Sequence, residues 1–379
     1  MKVLYLADAS SIHTVRWIQH FAKIGWEVHL MSFSNLNEKI DRVKSYKIPF
    51  NFLKKINYLV MIPYIKKIAK QIQPDIIHAH YLTSYGGIAG RLGFGSIILS
   101  AWGSDVLISL IGKGFYSKFL RWFTSRSLNN AVAITSESEV VKNALVGYLG
   151  VEKQKVFVFP WGIDTSIFYP GYKNSIELWR KKLNIADGYK VILSPRSMKP
   201  GYNIELIIRS IPYIVKDFPD LVFVFLCGNR DPDYYSYIKN LAKQLEIEEK
   251  LRFIENYLTT VQISEILNMS NILISIPSSD SIPISVIEGM GCNVIPICSR
   301  IEANLELKEK GANIIFTDLK PDNIAQTLLN VLNSDDKFLS DIVEQNYSQV
   351  KSQYSWENSC EMMEKIYLDV YRKKNKKCN

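Results

Sequence analysis

Short apolar runs alternate with helical patterns along the whole chain. In the first half they predict strands at 3–7, 28–33, 76–78, 97–100, 131–135 and 156–159, with an amphipathic helix at 15–24. A second series predicts strands at 191–194, 221–227, 251–254, 272–276 and 294–297, with helices at 203–216, 234–245 and 260–269. Such alternation is typical of parallel sheets with crossover helices. We therefore predict an α/β fold with two doubly wound, Rossmann-like domains in tandem.

The joint between the two series lies where a strand ends and Trp161-Gly162 follow. The predicted domains are residues 1–165 and 166–352. A chain of 379 residues that is 47% hydrophobic is long enough for two separate cores.

Hydrophobic runs and cysteines bear on location. The longest apolar runs have six or seven residues, against the roughly 20 that cross a bilayer. We expect no transmembrane helix and no secretory signal, and a cytoplasmic protein. The five cysteines contain no Cys-x-x-Cys pair, which favours free thiols.

Charge is distributed unevenly along the chain. Residues 1–165 carry 20 Lys and Arg against 10 Asp and Glu, whereas residues 166–379 carry 26 against 27. The basic first half predicts an anionic partner, such as a membrane surface or a polyphosphate. No nucleic-acid-binding motif accompanies the charge, and we expect no nucleic acid partner.

The segment 113–126 allows two interpretations. Phe115, Phe119 and Trp122 fall on one helical stripe, with Lys118 and Arg121 beside it. An amphipathic helix packed on a sheet has this pattern. Aromatic residues flanked by cations also suit a lipid headgroup layer, which would give peripheral contact with the inner face of an anionic membrane.

The run 272–276 leads into the most informative segment. A polar loop and a predicted helix follow it, and they carry Asp280 and Glu288 eight positions apart. Ligands of α/β proteins bind beyond the carboxyl ends of strands. The loop 280–285 would present backbone N–H groups and hydroxyls at a helix N-terminus, which suits a phosphate or a sugar. The Glu288 carboxylate could accept from two neighbouring hydroxyls.

Three segments carry a family resemblance that extends over nearly the whole chain. Residues 77–80 (Ile-His-Ala-His), 159–168 (Phe-Pro-Trp-Gly-Ile-Asp-Thr-Ser-Ile-Phe) and 288–296 (Glu-Gly-Met-Gly-Cys-Asn-Val-Ile-Pro) resemble family 4 of the retaining nucleotide-sugar glycosyltransferases. The resemblance implies the GT-B architecture, two Rossmann-like domains that face a cleft. The first would take the acceptor and the second the donor. Residues 353–379 would form a helix that crosses back to the first domain, followed by a basic tail.

The resemblance also implies the reaction. A hexosyl or N-acetylhexosaminyl group would pass, with retained configuration, from a nucleotide-diphosphate sugar to a hydroxyl of a lipid-linked or cell-envelope glycan. No metal and no other cofactor is expected. Two alternatives remain: a non-catalytic nucleotide-sugar-binding partner of another transferase, and a nucleotide-sugar isomerase or hydrolase on the same fold.

Carried over by position, the resemblance assigns roles in the second domain. Glu288 would accept from the ribose hydroxyls, and Asp280 would lie near the donor sugar. A leaving diphosphate gathers negative charge that cations must stabilise, for which Arg196 and Lys199 are the candidates. The remaining donor contacts would come from the following residues: Gly228, Tyr257, Leu258, Ser281, Ile284 and Ser285.

In the first domain the chain departs from its relatives. Many of them carry His-Gly-x-Asp where this chain has Trp102-Gly-Ser-Asp105. Asp105 and His80 are the candidate catalytic residues there. We expect the His80 ring to face the cleft and the His78 ring to point to the opposite face, into the interior.

One motif points to a different enzyme class. Asp231-Pro232-Asp233 has the Asp-x-Asp spacing of metal-dependent transferases of another fold. Because it lies where a helix is predicted to begin, we expect a helix cap there.

Overall fold

The structure, a computed structural model, describes residues 1–36, 38–49, 57–280 and 282–376. The chain divides into two compact units. The first contains residues 1–160 and 359–379, and the second contains residues 161–358. The sequence had placed the two boundaries at 165 and 352.

Seven described strands form one parallel sheet in the first unit, in the order β3-β2-β1-β4-β5-β6-β7. They are β1 (Lys2–Leu6), β2 (Glu27–Ser32), β3 (Val43–Lys47), β4 (Ile76–His80), β5 (Ile97–Ala101), β6 (Ala133–Ser136) and β7 (Val156–Val158). The α-helices are α1 (Ile12–Lys23), α2 (Asn57–Val60), α3 (Ile62–Ile72), α4 (Gly87–Ala89), α5 (Phe115–Asn130) and α6 (Glu139–Gly147). Two π-helical segments, Leu82–Gly86 and Asp105–Leu110, and a 3₁₀ turn, Lys153–Lys155, complete these elements.

Six described strands form the parallel sheet of the second unit, in the order β10-β9-β8-β11-β12-β13. They are β8 (Lys190–Ser194), β9 (Leu221–Leu226), β10 (Leu251–Ile254), β11 (Ile272–Ser275), β12 (Ile295–Ser299) and β13 (Ile315–Thr317). Its helices are α7 (Lys173–Lys182), α8 (Ile204–Ile214), α9 (Pro232–Gln244), α10 (Thr260–Met269), α11 (Ile284–Gly291), α12 (Glu302–Glu309), α13 (Pro321–Leu332) and α14 (Asp336–Gln353), with a 3₁₀ turn at Glu248–Lys250.

Each sheet has a point where the strand order reverses. In the first unit it lies between β1 and β4, and in the second between β8 and β11. Loops that leave the carboxyl ends of such strands diverge and form a crevice where ligands bind. The fold therefore directs attention to the loops after β4, β8 and β11.

The last helix, α15 (Trp356–Lys376), belongs to the first unit from Ser359 onward. Its Tyr367 is fully buried and donates a hydrogen bond of 2.7 Å to the Tyr5 hydroxyl of β1. The Tyr367 hydroxyl also lies 2.5 Å from Nδ1 of His78 in β4. Polar and aromatic contacts thus fasten α15 to the sheet of the first unit. Among the described residues, no helix is both long and apolar enough to cross a membrane.

Candidate functional site

The loops after β8 and β11 bring three of the predicted donor residues together. Nη2 of Arg196 lies 2.9 Å from Oδ2 of Asp280, and Nη1 of Arg196 lies 3.4 Å from Oγ of Ser285. The side chains of the ion pair are only 13% and 16% exposed. Residues 84 positions apart in sequence therefore meet at the point where the strand order reverses.

Cross-links between the two loops hold this arrangement. The side-chain amide of Asn203 donates to the Ile276 carbonyl (2.8 Å) and to Oγ of Ser278 (3.0 Å). The backbone N–H of Ser278 donates to the Gly201 carbonyl (2.9 Å), and Gly201 has a φ of +88°, which favours glycine. The loops are thereby positioned by the backbone and not only by the ion pair.

Arg196 and Lys199 supply the positive charge of this site. The Arg196 guanidinium lies 4.5 Å from the Tyr202 ring centroid while one nitrogen faces Asp280. A guanidinium has five N–H donors, so this arrangement leaves donors for a phosphate. Lys199 is half-buried in the same loop and makes no ion pair with any residue that the structure describes.

Helix α11 presents the remaining acidic residue. Ile284 is its first residue, and Ser285 and Glu288, three positions apart, lie on one face. A Cβ on Gly289 would lie 2.7 Å from Cδ1 of Leu273, so glycine lets α11 pack closely against β11. Glu288 is half-buried. Ser281 lies outside the described residues.

A shallow cavity of about 140 Å³ adjoins this loop set. The predicted donor contacts Tyr257, Leu258 and Gly228 line it together with Pro195 and Ser197. Gly228 is required here for packing of the protein backbone, independently of any donor contact. A Cβ there would lie 2.8 Å from the Asn256 carbonyl oxygen, so the glycine admits the neighbouring backbone.

Arg230 is a brace that the sequence did not reveal. Its Nη1 donates to the carbonyls of Cys227 and Glu255, both at 2.9 Å. Its guanidinium thus ties together the loops after β9 and β10, which carry the cavity.

In the first unit, the expectation that His78 and His80 face opposite sides of β4 was wrong. Their ring centroids are 4.7 Å apart, and both residues are buried. Residues two apart in a strand share one face, which explains the contact. Burial, and secondarily the nearby His13, lowers the pKa of His80 to about 3, so its imidazole is neutral at physiological pH.

Asp105, a candidate catalytic residue by sequence, forms a structural clamp. It is fully buried, and its Oδ2 accepts from the Leu82 N–H (2.7 Å). Its Oδ1 accepts from the N–H groups of Trp102 (3.0 Å) and Val106 (3.1 Å). Burial raises the pKa of Asp105 to about 6, against the opposing effect of these hydrogen bonds. The carboxylate joins the turns after β4 and β5 and does not reach solvent.

Trp102 centres an aromatic cluster at the carboxyl ends of β4 and β5. Its ring centroid lies 5.6 Å from that of His13, 5.8 Å from His80 and 6.0 Å from Tyr81. Burial, and then Arg16, lowers the pKa of His13 to about 4. The cluster therefore presents neutral, flat surfaces where relatives carry a histidine.

In the described ranges, no group of three or more His, Cys, Asp or Glu side chains has an arrangement that could hold a metal ion. Asp231 caps α9, as predicted, because its side chain accepts from the Tyr234 N–H at 2.9 Å.

Two family models match the chain in succession. "Glycosyl transferase 4-like" covers residues 2–138, and "Glycosyl transferases group 1" covers residues 175–349. The N-acetyl-alpha-D-glucosaminyl L-malate synthase of Bacillus anthracis is 20% identical over 93% of this chain and 92% of its own length. The alpha-monoglucosyldiacylglycerol synthase of Streptococcus pneumoniae is 29% identical over 49% of this chain. This chain spans about half the length of that relative and of another curated one.

Solved structures share the fold. The structure of Anabaena HepE in complex with UDP superimposes with a TM-score of 0.80 at 12% identity, covering 97% of this chain and all of that one. With two parallel α/β units and both family models in chain order, the protein belongs to the family 4 glycosyltransferases of the GT-B fold.

Proposed function

We propose that this glycosyltransferase takes its sugar from a nucleoside-diphosphate sugar bound in the second unit. The observation that carries the proposal is the cluster of Arg196, Asp280 and Ser285, with Glu288 one turn further along α11. Arg196 and Lys199 would bind the diphosphate, and Glu288 would accept from the ribose hydroxyls. UDP in the HepE structure supports a nucleotide ligand for this fold.

The proposed transfer retains the anomeric configuration. The bond between the anomeric carbon and the diphosphate oxygen breaks, and a bond to the acceptor oxygen forms on the same face. The acceptor proton passes to the leaving diphosphate, so no side-chain base of raised pKa is required. Arg196 and Lys199 would stabilise the charge that develops on the diphosphate in place of a metal.

A screen of thermal stability tests the donor site. Ligands that bind only the folded state raise the melting temperature. The ligands are UDP, GDP, ADP and CMP, each with its sugar conjugates. We expect one of these nucleotide series to raise the melting temperature, both with and without EDTA. If no nucleotide shifts the melting temperature, the proposed donor site is wrong, and a shift that EDTA abolishes would contradict the metal-independent mechanism.

For the acceptor, we propose a glycan or lipid-linked hydroxyl at an anionic membrane. The name of the Streptococcus pneumoniae relative denotes a glucosylated diacylglycerol, which supports a lipid acceptor. In the first unit, Phe115 is 88% exposed and Trp122 is 59% exposed on α5, and Ile108 just before it is 73% exposed. The basic excess of residues 1–165 lies in the same unit.

The cations of α5 divide into two groups. Arg121 makes hydrogen bonds within the protein, because its Nη1 donates to the carbonyls of Leu110 (2.5 Å) and Gly112 (2.9 Å). Lys113, Lys118 and Arg126 are exposed instead. Exposed aromatic residues beside exposed cations suit insertion into an anionic lipid interface.

Sedimentation with vesicles tests the membrane contact. We expect binding to phosphatidylglycerol-containing vesicles, weaker binding to pure phosphatidylcholine, and loss of about tenfold in affinity for the double variant Phe115→Ser, Trp122→Ser. Phe338→Ser, which removes an exposed phenylalanine from the second unit, is the matched control. Equal binding of both variants would refute a lipid contact through α5.

A further inference from the structure

A cavity of about 280 Å³ lies in the first unit, beside the carboxyl ends of β4 and β5. The two π-helical segments and the N-terminal half of α5 contribute its walls. Aromatic rings and hydroxyl groups line it, principally Tyr81, Tyr116, Phe119, Thr83, Ser84 and Ser109. Its size is close to the lower end for small-molecule sites.

Close helix packing fixes the aromatic wall. A Cβ on Gly87 would lie 2.2 Å from the Phe123 ring, and one on Gly90 would lie 2.5 Å from the Ser127 Cα. The two glycines therefore let α5 approach α4 closely. Arg91 secures the contact, because Nη1 donates to the Gly87 carbonyl (2.7 Å) and the guanidinium lies 4.9 Å from the Phe123 ring centroid.

The backbone around the cavity is unusual in two respects. Both strands β4 and β5 lead into π-helical segments, and such segments occur frequently at functional sites. Tyr81, which lines the cavity, has φ +64° and ψ +98°. Strained backbone conformations of non-glycine residues concentrate at ligand sites. The buried Asp105 clamp holds both turns in this conformation through the N–H groups of Leu82 and Trp102.

The lining selects the class of ligand. None of the described side chains that line the cavity is charged, so a phosphate or carboxylate would find no counter-ion. An alkyl chain would cover the hydroxyls of Thr83 and Ser109 without giving them partners, which is unfavourable. The Ser84 hydroxyl already donates to the Tyr81 carbonyl (3.3 Å). A neutral sugar ring offers both apolar faces for aromatic rings and hydroxyls for hydrogen bonds.

We propose that this cavity binds a neutral sugar ring of the acceptor. The assignment to the acceptor rests on the proposed function, whereas the binding of a neutral sugar rests on the cavity itself. The acceptor would then be a molecule that already carries at least one uncharged sugar, and not a bare lipid or an anionic headgroup.

Saturation-transfer NMR on the full chain tests the proposal, with methyl glucosides and methyl N-acetylglucosaminides as probes at up to about 50 mM, a range that detects millimolar affinity. We expect at least one probe to bind wild type. Tyr116→Ala removes the exposed edge of the cavity and should weaken sugar binding about tenfold. Ser109→Trp fills the cavity and should abolish sugar binding. Tyr148→Ala removes an exposed tyrosine of the same unit that does not line the cavity, and should leave binding unchanged.

Three results would overturn the inference. They are the absence of any sugar binding, sugar binding that Tyr116→Ala and Ser109→Trp do not alter, and binding of 1-octanol in place of a sugar at the same residues. Thermal stabilisation by nucleoside diphosphates, measured on the same variants, reports on the second unit. A protein that binds the nucleotide but no sugar would refute this inference alone, and one that binds neither would refute the proposed function as well.

Discussion

Glu288 shares one face of α11 with Ser285, which itself contacts Arg196. If Glu288 accepts from the ribose, Glu288→Gln should weaken binding of the preferred ribonucleoside diphosphate by about 10- to 100-fold, since hydrogen bonds to charged groups contribute about 1.5–3 kcal/mol. Titration calorimetry should show a much smaller loss for the 2′-deoxy nucleotide, which lacks one of the two hydroxyls.

Glu302→Gln, at the exposed first residue of α12, is the matched control for Glu288→Gln. Equal losses for the ribo- and deoxyribonucleotide would show that Glu288 acts on the site in some way other than through the ribose.

Three histidines of the first unit make its stability depend on pH, of which His78 and His80 are fully buried and His13 is half-buried. Burial lowers the pKa of His13 to about 4, that of His80 to about 3 and that of His78 well below its ordinary value. The unfolded chain takes up these protons below about pH 6.5. Their contribution to stability is therefore complete above pH 6.5 and is lost as the pH falls, by about 1.4 kcal/mol per pH unit for each histidine.

Asp105 acts in the opposite direction, because its raised pKa of about 6 favours the folded state at low pH and that contribution is lost as the pH rises through 6. Three histidines outweigh one aspartate, so the urea midpoint should fall between pH 6.5 and 4.5. The decline should be shallower in His80→Gln. An unchanged midpoint across this range would contradict the burial of these rings.

Single residues differ in how far sequence predicts them. Arg196 and Asp280 lie in loops that follow predicted strands, and Ser285 is the second residue of the next helix, so the parallel sheet brings the three together. The clamp that Asp105 forms was not predicted, because one of its partners is the Leu82 N–H, 23 positions away, and no local pattern indicates that contact. Its catalytic role stays a prediction. The roles of Lys199, Glu288 and Tyr257 toward a donor stay predictions.

At the scale of elements, one hydroxyl of α15 links this helix to two strands of the first sheet. The Tyr367 hydroxyl makes hydrogen bonds with Tyr5 of β1 and with His78 of β4. Nε2 of His78 makes a further hydrogen bond of 2.8 Å with Oγ of Ser100 in β5. Removing a shared partner leaves buried polar groups unsatisfied, which costs about 1–3 kcal/mol. We expect Tyr367→Phe to lower the free energy of unfolding by that amount in denaturant titrations.

Tyr371→Phe, one turn further along α15 and only partly buried, should change stability by less than about 0.5 kcal/mol. If the two variants are equally stable, the hydroxyl of Tyr367 does not anchor the helix.

Central strands could be predicted from sequence because both of their faces are buried and their runs are apolar throughout. The edge strands β3 and β13 were missed. β3 reads Val-Lys-Ser-Tyr-Lys and is largely exposed, and β13 has only three residues. The π-helical segments were also missed, since the unusual turns depend on the distant Asp105 clamp.

For the whole molecule, the order of strands and helices predicted two Rossmann-like units, and the resemblance of three segments to a known family predicted the GT-B family. The acceptor could not be derived in the same way, because acceptor contacts come from loops and side chains whose positions depend on tertiary packing. The cavity beside Tyr81 is an example, since two glycines and two arginines of different elements set its walls.

The central claim is that Arg196 binds the diphosphate of the donor. Titration calorimetry of the full chain should compare the nucleoside mono- and diphosphate of the base that stabilises it most. We expect wild type to prefer the diphosphate by at least about tenfold, as charge-assisted contacts to phosphate imply. Arg196→Met should remove most of that preference, and Arg209→Met, at an exposed position of α8, should preserve it. An undiminished preference in Arg196→Met would contradict the account.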